Sequence, residues 1–188
     1  MKRSILLSAA MLAMAAAANP ARGAVWVVDF DALAQGTLPV NFTSNSIDVV
    51  QLSYTDTVGN VCAPTHTGVS AMFTQAFPGC LVPSAPNQLV NRAIITEFDI
   101  SDFQTQLGGA QVRKIVFSYT IMQGNVQIIF NGQCFTRASF LALPNGTYGG
   151  VRYSANNCRV RLRKKPNFIT QFAVGGAFMA IDDVKARG

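Results

Sequence analysis

Apolar and polar residues alternate with a period of two along most of this chain. Val50, Leu52 and Tyr54 alternate with Gln51, Ser53 and Thr55, and Ile115, Phe117, Tyr119 and Ile121 alternate with Val116, Ser118 and Thr120. A further run, Val126, Ile128 and Phe130, follows Gln123-Gly124-Asn125, and Phe168 and Phe172 alternate with Ile169 and Gln171. Alternation rich in β-branched and aromatic residues predicts half-buried strands. Turn dipeptides separate them: Gly59-Asn60, Pro78-Gly79, Gly108-Gly109, Asn131-Gly132, Asn145-Gly146 and Gly149-Gly150. About ten short strands punctuated in this way predict an all-β fold, an antiparallel β-sandwich or jelly roll. One short helix is expected, where Ser101-Asp102-Phe103-Gln104 reads as a capping box and Gly108-Gly109 as the stop.

Two stretches depart from simple alternation. Ala177-Phe178-Met179-Ala180-Ile181 is apolar on both faces, is introduced by Val174-Gly175-Gly176 and ends in Asp182-Asp183-Val184. Val25-Trp26-Val27-Val28 likewise runs into Asp29-Phe30-Asp31. Two end strands of the same pattern predict termini that meet. The segment 56–87 is the least regular, with Pro64, Pro78, Pro83 and Pro86, and reads as a long excursion between strands.

The first residues belong to a different class. Met1-Lys2-Arg3 is a positive n-region, Ile5 to Ala18 carries no charge, and Ala21-Arg22-Gly23 supplies small residues for cleavage. This is the pattern of a secretory signal peptide over 1–23, leaving 24–188 as a single β-sandwich domain. The apolar run is short of the roughly 20 residues of a membrane span, and no second long apolar segment follows. The expectation is a secreted bacterial protein, extracellular or at the cell surface, with the periplasm as the alternative. With the leader removed, 12 of the 15 basic residues face 9 acidic ones. That balance is mild and argues against nucleic acid as a partner.

Four cysteines, Cys62, Cys80, Cys134 and Cys158, all follow the leader. An even count in an exported chain reads as disulfides, with three possible connectivities. The sequential pairing, Cys62 with Cys80 and Cys134 with Cys158, is favoured because each pair brackets a turn-rich excursion. Each bridge is then worth about 3 kcal/mol in the chain-entropy description. A metal site on these cysteines is a poor alternative, since no C-x-x-C occurs and His66 is the single histidine.

The ends also carry a family resemblance. Val28-Asp29-Phe30-Asp31-Ala32-Leu33-Ala34-Gln35-Gly36-Thr37 resembles the opening of bacterial secreted jelly-roll proteins, with their FD-x-L-x-x-G-T strand and turn. Val50-Gln51-Leu52-Ser53-Tyr54, the stretch from Val112 to Tyr119, and the stretch from Val174 to Val184 resemble their later strands. Many such proteins carry a PEP-CTERM-type sorting tail, which does not follow Val184 here. The fold implied is galactose-binding-like, the architecture of many carbohydrate-binding modules.

Three groups of residues have candidate chemistry. Asp29 and Asp31 share a strand face, and Asp182 and Asp183 lie on the last strand. If those strands are neighbours, the carboxylates suit a structural Ca²⁺, a hard cation that takes oxygen ligands. The resemblance implies the same, since many galactose-binding-like modules hold calcium where their termini meet. The alternative is that these acids are solvated strand ends or hydrogen-bond to turn amides. Arg159, Arg161 and Arg163 share one face of a strand whose other face is Cys158, Val160 and Leu162. Such a row can grip sulfates, phosphates or uronates, or can simply protect an edge strand from pairing. Tyr148 and Tyr153 flank Gly149-Gly150 beside Arg152 and are the aromatic pair best placed by sequence to face a sugar. Catalysis is not expected: no G-x-S-x-G elbow accompanies His66, and Glu97 with Asp99 is an undistinguished carboxylate pair. The reading is a non-catalytic protein that binds carbohydrate or an anionic glycan. The alternative is a structural cell-surface or matrix protein that works through protein–protein assembly, favoured by the doubly apolar last strand.

Overall fold

A computed structural model describes residues 23–60, 66–73 and 87–188. Residues 1–22 of the expected 1–23 leader, with Cys62 and Cys80 and most of the 56–87 excursion, lie outside the described residues. The chain is an all-β antiparallel sandwich, as the alternation predicts, with one short α-helix among the described residues. In order, the elements are β1 (Val25–Val28), β2 (Gly36–Thr37), β3 (Asn41–Ser44), β4 (Ile47–Ser53), β5 (Val69–Phe73) and β6 (Gln88–Phe98). Then come α1 (Ile100–Gln106), β7 (Lys114–Phe130), β8 (Gln133–Arg137) and a 3-10 turn (Phe140–Ala142). The last are β9 (Gly146–Tyr148), β10 (Val151–Asn156), β11 (Arg159–Arg163) and β12 (Phe172–Arg187). Phe168 and Ile169 precede β12 rather than belonging to it; Ile169 is buried in the core, and its N–H donates to Val112 O at 2.7 Å.

Hydrogen bonds join all the strands into one continuous sheet, with β6, β12 and β7 at its centre. Two layers result because these three long strands bend. Phe117 and Phe130 stand 13 residues apart on β7, which is roughly 43 Å along a straight strand. Yet the Phe117 ring lies 5.5 Å from that of Phe172, the register partner of Phe130. Each of the three strands therefore folds back, and the bends lie side by side. Register sets Ala177 between Gly176, opposite Ile94, and Phe178, opposite Arg92, so the β6 corner is Ala93. On the other side the register slips between Gly176/Val126 and Phe178/Gln123. Ala93 takes φ 51° and Gly124 φ 70°, left-handed values that turn a strand sharply. Gln123-Gly124-Asn125, which reads as a turn between two strands, is the corner of one.

The first layer holds β2, β5, the β6 arm up to Arg92, the β12 arm from Phe178, the β7 arm up to Ile121, then β11, β10 and β9. There β1 lies along the end of β12, Val25 opposite Arg187 and Val28 opposite Val184, so the two end strands are neighbours as expected. The second layer holds β3, β4, the remaining arms of β6, β12 and β7, and β8.

Between the layers lies an aromatic core. Phe98 stacks on Phe172 at 5.4 Å, Phe140 meets Tyr119 edge-on at 4.6 Å, and Phe130 stacks on Tyr153 at 6.3 Å. α1 seals one end by burying Ile100 and Phe103. Its cap is Asp99, not Ser101: the Asp99 carboxylate accepts from both the N–H and the hydroxyl of Ser101 at 2.6 Å. Those bonds, led by the Ser101 hydroxyl, hold the Asp99 carboxyl below the usual carboxylate range. A carboxylate at a helix start satisfies orphan amides, so the helix begins earlier than the capping box suggests.

Candidate functional site

The site begins with β11. Val160 and Leu162 are fully buried, and Arg159, Arg161 and Arg163 project outward. β11 is not an edge strand. It pairs with β7 on one side and β10 on the other, so positive charge here does not serve to protect an edge. Register shows what the strand pattern alone does not. Arg163 stands opposite Arg152 on β10 and opposite Lys114 on β7, and Lys114 stands opposite Arg187 on β12. Arg152, Arg163, Lys114 and Arg187 thus form one line across four adjacent strands, stepping about 4.8 Å at a time. Arg161 and Arg159 follow along β11 at about 7 Å spacing. The surface is a grid of cations facing one way.

Its electrostatics follow from what is missing nearby. From Phe103 to Ile181 the sequence has nine Lys and Arg and no Asp or Glu. This stretch supplies β7, β10 and β11. Lys114 is half-buried; its ammonium pKa is pushed down, first by desolvation and then by Arg161, Arg187 and Arg163. Only at the far side of the face do acids enter. Asp183 pairs with Lys185 at 3.3 Å, and Asp182 is buried opposite Ser118. Charge therefore falls from four cations in the Arg152–Arg187 line to one, Arg159, in the line of Asn156, Ser118 and Asp182.

The tyrosines do not belong to this face. Tyr153 is fully buried; its hydroxyl donates to Phe140 O at 2.7 Å, and burial pushes its pKa up. Tyr148 donates to Pro144 O at 2.8 Å and sets its ring edge-on to Phe135 at 5.0 Å. Val151 and Tyr153 face inward and Arg152 outward, so of Tyr148, Arg152 and Tyr153 only the arginine belongs to the cationic face. The aromatic pair packs with the core, because rings on the inward phase of β9 and β10 have the second layer to pack on.

The carboxylates at the termini come near one another. Asp31 has its pKa raised, first by desolvation and then by the charges of Asp29 and Asp183, against the lowering effect of a bond from the Asn87 N–H. A bulge at Asp183, φ 53°, shifts the register between Asp182 and Lys185. Each carboxylate has local work. Asp29 Oδ1 accepts from the Asp31 N–H at 3.3 Å, Asp31 Oδ1 from the Asn87 N–H at 3.1 Å, and Asp182 Oδ1 from the Asp183 N–H at 2.7 Å. Among the described residues no group of three or more His, Cys, Asp or Glu is arranged to hold a metal ion. These acids share a field.

The other candidates have these partners. Glu97 accepts from Gln171 Nε2 at 3.1 Å, and Asp99 caps α1. His66 is exposed and bridges to Tyr54 through backbone bonds. Neither Cys134 nor Cys158 is a free thiol. Cys134 Sγ takes a bond from Gln127 Nε2 at 3.4 Å, on the outer phase of the second layer. Cys158 sits at the β10–β11 turn of the first layer, its carbonyl accepting from the Tyr119 N–H at 3.1 Å. A Cys134–Cys158 bridge would have to cross the sandwich, whereas a disulfide allows at most about 7 Å between Cα atoms. In this placement Cys134 does not pair with Cys158; Cys62 and Cys80, the other half of the expected pattern, lie outside the described residues. The doubly apolar last strand is explained by position: β12 lies between β6 and β7 and passes from one layer to the other. On its outer side Val90 and Ala180 are fully buried with Met122 and Phe178 packed against them, and Arg92 stands 4.8 Å over the Phe178 ring. No helix among the described residues is long and apolar enough to cross a membrane.

Comparison with family models, curated proteins and solved structures gives no match to this chain.

Proposed function

We propose that this protein is a secreted, non-catalytic β-sandwich that binds an anionic glycan through the outer face of its first layer. The observation that carries the reading is the line Arg152–Arg163–Lys114–Arg187 joined to Arg161 and Arg159, with β7, β10 and β11 drawn from a stretch that contains no acid. A rigid sheet holds these cations at fixed spacing, so little ordering of the protein is needed when a polyanion docks. Arginine supplies most of them, and its planar fork suits bidentate contact with carboxylate, sulfate or phosphate. The line of cations includes no aromatic platform, which favours recognition by charge over ring stacking and disfavours single-stranded nucleic acid.

The assembly reading has less support, because β12 is interior and, among the described residues, the exposed large apolar ones, such as Val40, Val58 and Leu141, are scattered over different segments. The direct test is retention of the protein on sulfated and uronic polysaccharides, with a neutral polymer of the same length as control. Retention by the acidic polymers alone, lost on replacing Arg159, Arg161 and Arg163 together by Ser, is the expected result. Equal retention by the neutral polymer would remove the charge reading.

A further inference from the structure

The two axes of the cation grid differ in a way that selects a ligand. Along β11 there are three arginines about 7 Å apart, and the other strands continue that direction poorly: β7 offers Lys114, then Val116 and Ser118. Across the strands the first line offers four cations in unbroken succession about 4.8 Å apart. The next line is Ser154, Arg161, Val116 and Lys185, and Lys185 already has Asp183 as a partner. An extended polyanion therefore meets most uncompensated charge when it lies across β10, β11, β7 and β12.

Resting on the glycan reading above, we infer that the ligand is a polyuronate, a chain of uronic acid rings with one carboxylate on each ring, running across the strands over Arg152, Arg163, Lys114 and Arg187. The step between neighbouring cations is comparable with the advance of one pyranose ring in an extended glycan, so four rings span the line; successive rings turn about the chain axis, so alternate carboxylates face the sheet and the long arginine and lysine stems reach the others at the flanks of the chain. A carboxylate accepts both arms of a guanidinium in one plane, and three of the four cations are arginines. Lys114, desolvated and crowded by Arg161, Arg187 and Arg163, is a position where an added anion relieves repulsion. The line spans four adjacent strands, so four consecutive uronates cover its length.

The experiment is titration calorimetry of the protein with oligogalacturonides of two, four and six rings in about 50 mM salt, where exposed charges are weakly screened. Polygalacturonate, dextran sulfate and neutral dextran serve as further probes. Affinity is expected to rise from two rings to four and to change less than twofold from four to six. Arg187→Ser and Lys114→Ser should each weaken the four-ring ligand about three- to fivefold, the worth of one exposed ion pair. Arg159→Ser, off the line, should change it less than twofold. Unchanged melting of each variant shows that the fold is kept. Weakening by Arg159→Ser equal to that by Arg187→Ser, affinity that keeps climbing to six rings, or preference for dextran sulfate over polygalacturonate would each overturn the polyuronate line while leaving an anion-binding face. Binding to none of the acidic polymers would overturn the glycan reading itself.

Discussion

At the scale of single residues, Asp31 has the clearest pH signature. Its pKa is raised in the fold by desolvation and by Asp29 and Asp183. A raised carboxyl gives stability that is fully present below its unfolded pKa and lost as pH rises through the folded value. Asp31→Asn keeps an oxygen for the Asn87 N–H and removes the charge, so the variant should melt higher than the native protein at pH 7 and show no advantage near pH 3. A scanning melt at both values checks this. The same variant probes the expected calcium. If a cation does bind among Asp29, Asp31 and the last strand, 1 mM Ca²⁺ should raise the native melting temperature and Asp31→Asn should abolish that rise. A melt indifferent to calcium and to chelator would leave these acids as interacting strand ends. That the end strands are neighbours is readable in the matching patterns around Asp29 and Asp182. What each oxygen binds is not, because Asn87 and the bulge at Asp183 come from backbone geometry that no local pattern announces.

Single elements supply two further tests. Asp99 caps α1, so Asp99→Ala should cost about 1 kcal/mol in urea unfolding at pH 7, and Asp99→Asn much less. The Asp99 carboxyl is held low, so its contribution is present above the unfolded pKa and disappears as pH falls through the folded one. The penalty of Asp99→Ala should accordingly shrink at acid pH. The corner is more severe. A Cβ on Gly175 would lie 2.1 Å from Ile94 O and 2.5 Å from Ile95 Cα, both parts of the neighbouring strand. Gly175→Ala should destabilise by more than about 3 kcal/mol or prevent folding. Gly108→Ala, at φ 67° with open space around it, should cost only about 1 kcal/mol. Alternation reveals the strands because burial of one face is a local matter. The bend is only half legible: Gly124, Gly175 and Gly176 mark it on β7 and β12, while Ala93 on β6 carries its positive φ with no sequence mark at all.

For the whole molecule, register decides both the site and the disulfides. Arg159, Arg161 and Arg163 can be picked out because they alternate within one strand. Lys114, Arg152 and Arg187 join them only through strand pairing, and these three positions are 35 to 73 residues apart in sequence. The same long-range geometry separates Cys134 from Cys158. Peptide mapping without reductant should therefore yield no Cys134–Cys158 peptide, and each of these cysteines should appear linked to a peptide that contains Cys62 or Cys80. Recovery of a Cys134–Cys158 peptide would contradict the layer assignment. One feature of the fold also governs how it can form. β12 fills the gap between β6 and β7 in both layers, so until residues 172–187 are available those two strands have no neighbour to share. A growing chain released before that point carries two long strands with unpaired backbone edges, open to pairing with other chains. Closure must then wait for contacts between segments far apart in sequence, and folding of this kind runs on a scale of about milliseconds to seconds. The final strand acts as a keystone set last, and a chain truncated ahead of Phe172 should aggregate instead of folding into a smaller sandwich.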